Sequence, residues 1–202
     1  MADNTTGTEL GIIQIESKKL TNIDNFLKDD ENITRVECPF PNVTSAVSAF
    51  ENCSNLESFS GDLNNLTDGT SMFRNCSSLE SIKTNFDNLS LGINMFYNCE
   101  NLNRFECTAP NITDGYNMFR YCSSLANDSI LTENFTTYII DGLGMFQGTA
   151  ITQIPWTFPN LVRSRQLFRD TQISGHLSLN MPNQFPNVSL KNYKIYSNND
   201  NA

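Results

Sequence analysis

Apolar side chains return at fixed places along this chain, at intervals of about 23 residues. With the phenylalanine of each Met-Phe-like pair as an anchor, the positions are Phe50, Phe73, Phe96, Phe119, Phe146 and Phe168, separated by 23, 23, 23, 27 and 22 residues. Leu27 lies 23 residues before the first and Ile195 lies 27 after the last, which makes eight anchors. Seven residues ahead of each anchor stand Leu20, Val43, Leu66, Leu89, Ile112, Ile139, Leu161 and Val188, all apolar. Phe40, Leu63, Phe86, Ala109, Phe158 and Phe185 lie ten ahead. Ile33, Leu56, Leu79, Leu102 and Leu125 lie six behind, and Val36, Phe59, Ile82 and Phe105 nine behind. A unit this short has too few apolar groups to bury alone, so the columns predict a solenoid in which each residue stacks on its own copy in the next coil.

Each coil divides into three parts. The segment from six to ten residues after the anchor, as in "LESFS", "LESIK" and "LNRFE", has apolar first and fourth positions and matches the start of a leucine-rich repeat. A short strand per turn, paired in parallel with its neighbours, is expected there. Gly69, Gly92, Gly115 and Gly142, four residues before their anchors, suit a positive-φ bend or a close contact between coils. The anchor segment itself, "GTSMFRNC", is expected to be a helical turn or 3₁₀ piece on the convex side, which makes the fold class an α/β repeat solenoid. Residues 1–19, with the strand-like run "LGIIQI", are expected to cap the first coil. Residues 20–196 form about eight coils, and 197–202 are a polar tail, so the array is expected to be complete.

The units "AFENCSNLESF", "MFRNCSSLESI" and "MFYNCENLNRF" resemble those of the BspA-type leucine-rich repeats, with Met-Phe, Cys, Leu and a later apolar residue in fixed spacing. That family occurs in bacterial and protist surface proteins and in proteins of bacterial viruses. The resemblance spans residues 20 to 195. In "MFQGTAITQI" and "LFRDTQISGHL" the cysteine becomes Thr149 and Thr171 and the next Ile moves one residue closer, which resembles an alternative form of the same unit. The resemblance implies a right-handed curved solenoid used for adhesion or protein recognition rather than catalysis.

Against this frame the cysteines change meaning. Cys53, Cys76, Cys99 and Cys122 form one column, in which neighbours are expected roughly 5 Å apart. A line of thiols does not converge on a metal, and no C-x-x-C pair is present. A disulfide between coils needs suitable side-chain geometry. Buried packing is the expectation, and it extends to Cys38 and Cys107, whose column contains Thr84. Asn42, Asn65, Asn88, Asn111, Asn160 and Asn187 form another column, suited to giving side-chain amides to turn backbone. Several of these begin N-x-S/T triplets, but the triplets recur because the repeat does, which makes them weak signals of glycosylation.

Composition narrows the function. Over 202 residues the formal charge is −9, with 39% hydrophobic and 17% charged residues. An acidic chain without clustered Lys and Arg does not suit nucleic acid or an anionic membrane surface. No run of eighteen apolar residues predicts insertion into a bilayer. No secretory signal is visible at the N-terminus, so a cytoplasmic or virion-associated location is expected, with the cell surface open if the chain is truncated. His176 is the sole histidine and is expected to be an exposed or rim residue. The acidic stretch "LKDDENITR" lacks the order of a calcium loop, and no catalytic or cofactor motif appears. No enzyme activity, metal or cofactor is therefore expected.

The residues between the buried columns remain. Glu57, Ser58 and Ser60, then Glu80, Ser81 and Lys83, then Asn103, Arg104 and Glu106 should project from the strand segments as a polar stripe on the concave face. Glu57 would stand above Glu80, a like-charge pair open to relief by Lys83 or a partner. Arg163, Arg165 and Arg169 form a separate basic cluster that either docks an acidic partner or neutralises nearby Asp residues. The leading expectation is a recognition or adhesion module for a protein or glycan. The alternative is a structural or decoration component of a virus particle, such as a bacteriophage, with assembly into a larger particle or oligomer.

Overall fold

A computed structural model describes residues 12–14, 19–129, 136–154 and 156–173. The eighth anchor Ile195, His176, the tail 197–202 and most of the expected N-terminal cap lie outside the described residues. Five strands form one all-parallel sheet in chain order: β1 (Ile12–Gln14), β2 (Arg35–Pro39), β3 (Ser58–Asp62), β4 (Ser81–Asn85) and β5 (Arg104–Thr108). The register follows the repeat, so Arg35, Ser58, Ser81 and Arg104 stand side by side. Ile12 pairs with Arg35, so the run "IIQ" continues the same ladder. A second contact line runs along the solenoid as single parallel bridges joining Asn22, Ser45, Asp68, Leu91, Asp114, Asp141 and Arg163. The chain is thus a parallel β-solenoid of leucine-rich-repeat type.

The anchor segment is not helical. Among the described residues the one helical piece is a 3₁₀ turn at Asn127–Ser129. The anchor segment is instead a ribbon of linked turns. Around Phe50, the N–H groups of Ala49, Glu51 and Cys53 bond to carbonyls three residues back, on Ala46, Ser48 and Phe50. The alternate N–H groups of Ser48, Phe50 and Asn52 instead bond to Thr70, Met72 and Arg74 of the next coil. Two residues per repeat, two before and two after the anchor, have positive φ: Ser48 and Asn52, Ser71 and Asn75, Asn94 and Asn98, and their counterparts to Gln166 and Asp170. This left-handed punctuation breaks any helix and turns every second N–H toward the neighbouring coil, which an α-helix would keep for itself.

Of the two roles expected for the repeat glycines, the close contact between coils is the one the structure shows. Gly69, Gly92, Gly115 and Gly142 are absent from the positive-φ positions, but each lies against the next coils. A Cβ on Gly92, for example, would come within 2.7 Å of Ile112 Cδ1.

A strand in every turn is not what the described residues show either. In the 27-residue interval after Phe119, the place of the next strand is taken by the 3₁₀ turn. The side chain of Asn127 supplies the missing link. Its Oδ1 accepts from Thr152 N at 2.8 Å and Oγ1 at 2.9 Å, while its Nδ2 donates to Gln153 O at 2.6 Å.

The core between sheet and turn ribbon is a set of aromatic and aliphatic columns. Phe50, Phe73, Phe96, Phe119, Phe146 and Phe168 stack in series with centroids 5.4–5.6 Å apart and ring planes within 10° of parallel. Phe105 meets Phe96 and Phe119 edge-on at 84° and 87°. The four leucines six after their anchors, from Leu56 to Leu125, are fully buried. Offset stacks and edge contacts are the arrangements that aromatic quadrupoles favour, so one residue type at one position per coil packs without a clash.

Candidate recognition surface

The inward columns carry no available chemistry. All six cysteines are free and buried. The thiols of Cys53, Cys76, Cys99 and Cys122 each donate to a carbonyl of the preceding coil, on Leu27, Phe50, Phe73 and Phe96, at 3.0–3.1 Å. Burial pushes the Cys53 thiol up to about 12 and raises Cys76, Cys99, Cys107 and Cys122 well above the ordinary range. These are protonated packing groups, not nucleophiles. Thr149 and Thr171 hold the same column differently, each donating to the carbonyl of its own coil's anchor, Phe146 or Phe168, at 2.9 and 2.8 Å.

The Asn column also turns inward in function. Asn65, Asn88, Asn111 and Asn160 give Nδ2 to carbonyls on Pro41, Asn64, Asp87 and Thr137 at 2.6–2.8 Å. Beside it, the hydroxyls of Thr67, Ser90 and Thr113 donate to the carbonyls of Thr44, Thr67 and Ser90. This face is hydrogen-bonded within the solenoid.

The outward face of the sheet is different. Ser58, Ser81 and Arg104 share one column; Ser60, Lys83 and Glu106 share the next, two residues on. Glu57, Glu80 and Asn103 lie just before the strands and are exposed, as are Lys83, Arg104 and Glu106. Both columns extend back to Arg35 and Glu37 on β2, which the reading of the repeats passed over. Those two form an ion pair at 3.4 Å, whereas none of Glu57, Glu80, Lys83, Arg104 and Glu106 has an ion-pair partner among the described residues.

One position disturbs this face. The column Cys38, Thr84, Cys107 has Gly61 as its fourth member. A Cβ there would overlap the Cys38 carbonyl oxygen, so glycine lets β3 lie close on β2. On its other side β3 pairs with β4 only as far as Ser60 and Lys83, although both strands continue for two more residues. Phe40 N bonds to Asp62 O and Phe86 N to Thr108 O, but no such bond joins Leu63 to Asn85 among the described residues. Thr84 Oγ1 covers the Gly61 carbonyl at 2.8 Å. The strand ends therefore part, and a cleft of about 680 Å³ opens between them. Its walls include Asp62, Asn64 and Asn85, which were not among the residues expected to bind; a glycine interrupting the Cys/Thr column was the visible signal.

The basic cluster is largely spent on local carboxylates. Arg163 pairs with Asp141 at 3.0 Å, and Arg169 lies 3.5 Å from Asp170. Among the described residues no group of three or more His, Cys, Asp or Glu could hold a metal, and no helix is long and apolar enough to cross a membrane.

The family model for the BspA type leucine rich repeat region matches six copies, over residues 6–102 and 47–174. The crystal structure of a leucine rich cell surface protein from Faecalibacterium prausnitzii A2-165 superposes with a TM-score of 0.57 at 23% identity, covering 83% of this chain. The match takes in 49% of that protein, so the chain spans about half its length. A search of curated protein sequences gave no match. The repeat columns, the parallel ladder and the matched region agree, and the chain belongs to the BspA-type leucine-rich repeat family.

Proposed function

We propose that this protein is a non-catalytic recognition or adhesion module that binds a protein or glycan partner through the outward face of β2–β5. The observation that carries this reading is the unspent charge on that face. Lys83 and Glu106 stand in register with opposite signs on adjacent strands, Arg104 lies beside Ser81, Glu57 and Glu80 flank the strand starts, and none of these five has an ion-pair partner among the described residues. A sheet face of that kind offers complementary contacts at fixed spacing, which favours selective binding. Ser58, Ser60, Ser81 and Asn103 add hydrogen-bonding groups to the same surface. The structurally similar protein from Faecalibacterium prausnitzii is a cell surface protein, which suits an adhesive role at a surface. Neither the fold nor the relatives lend support to the virus-particle alternative.

Affinity capture from the native source tests the proposal. The wild-type chain should retain a defined partner, and the double charge reversal Lys83→Glu with Arg104→Glu should reduce retention at least tenfold while thermal melting stays unchanged. Equal retention by both proteins would remove the sheet face from the account.

A further inference from the structure

The geometry points to a glycan subsite in the cleft between the ends of β3 and β4, one that takes a neutral, hydroxyl-rich sugar unit. This inference rests on the recognition reading and names the ligand class at one place on the same face.

The cleft is a departure from the repeat. The flanking pairs β2–β3 and β4–β5 are closed by pairing over five residues each, to the ends of their strands. Here Gly61 draws β3 toward β2, and the gap on the other side is spanned only by the Thr84 hydroxyl. The volume of about 680 Å³ falls within the roughly 300–1,000 Å³ of small-molecule sites.

Its chemistry selects a ligand. Ser60, Asp62, Asn64, Lys83, Asn85 and Glu106 line it, and among the described residues no apolar or aromatic side chain does. A peptide partner gains most of its affinity from anchors buried in apolar pockets, and this cleft has no such wall. Two carboxylates against one ammonium disfavour a polyanion. Sugar hydroxyls both donate and accept, so one ligand type serves the carboxylates of Asp62 and Glu106, the Lys83 ammonium and the Asn85 amide. Asn64 adds a more specific cue. Its backbone N–H is taken by Asp62 Oδ1 at 3.2 Å, while its side-chain Oδ1 is buried with no hydrogen-bond partner. A buried acceptor left unpaired is costly, and a shift of the Asn64 side chain toward the cleft would let a ligand hydroxyl satisfy it.

The test is retention of the full-length chain on immobilised oligosaccharides. The array would hold uncharged oligomers of glucose, mannose, galactose and N-acetylglucosamine beside sulfated ones. The expected result is retention on at least one uncharged oligomer, reduced at least tenfold by Asn85→Ala and by Lys83→Ala and unchanged by Tyr138→Ala on another face. Melting curves of each variant would establish that it remains folded. Retention on sulfated oligomers alone, no retention at all, or retention indifferent to both cleft variants would overturn the inference. If the array is blank while the double variant Lys83→Glu with Arg104→Glu reduces capture of a native partner at least tenfold, the recognition surface stands and the glycan subsite falls. If both measurements are negative, both readings fall.

Discussion

Single positions decide how far this repeat can vary. At Cys99 a small, weakly polar group donates to the Phe73 carbonyl inside a fully buried column. Thr149 and Thr171 satisfy the same column by turning the donor to the carbonyl three residues back. Cys99→Thr should therefore cost less than about 1.5 kcal/mol in urea unfolding, since volume is nearly kept and the hydroxyl has a partner. Phe96→Ala interrupts the ring stack and should cost about 3–5 kcal/mol in the same measurement. Gly61→Ala puts a methyl group onto the Cys38 carbonyl and should lose about 1–3 kcal/mol, whereas alanine on an open strand surface would be nearly neutral. The first two sites were legible in the sequence because spacing identifies a column. The role of Gly61 was not, because its consequence depends on the backbone oxygen one coil away.

Among the elements, the turn ribbon departs most from expectation. Its sequence, "GTSMFRNC", contains only Met72 and Arg74 as good helix formers, so intrinsic propensity gives the expected helical turn little support. What replaces it is hydrogen bonding between coils: every second N–H is claimed by the next coil, and the geometry needs left-handed residues at two fixed places. Asn holds many of those places, and its tolerance for positive φ was the signal available in "RNC" and "YNC". The strands were legible as far as the 23-residue spacing persisted, and among the described residues the last strand is β5, ahead of the interval after Phe119 that carries four extra residues. Asn98, at φ 61°, provides a test. Asn98→Gly should leave stability unchanged or slightly raised, while Asn98→Val should lose about 1–2 kcal/mol because a β-branched side chain pays the left-handed penalty in full. Equal effects of the two substitutions in thermal unfolding would contradict the turn geometry.

The whole molecule is a one-dimensional stack, so identical groups contribute together. Five buried thiols, Cys53, Cys76, Cys99, Cys107 and Cys122, keep their protons above the pH at which unfolded thiols ionise, near 8.5. Above that pH the unfolded chain binds fewer protons than the folded one, so stability falls as pH rises toward the folded values. Each thiol contributes a slope of about 1.4 kcal/mol per pH unit, and the unfolding midpoint should drop steeply between pH 9 and 11. Cys99→Val should make that decline shallower.

At the same scale, the central claim is that the cysteine column is part of the core and that function lies on the faces between the buried columns. Thiol labelling with iodoacetamide at pH 8, followed by intact mass, tests it most directly. The account predicts no labelled cysteine in the native protein and all six labelled together as the chain unfolds in urea. Labelling of any of the six in the native protein at the rate of an exposed thiol, or a mass showing a disulfide, would contradict it.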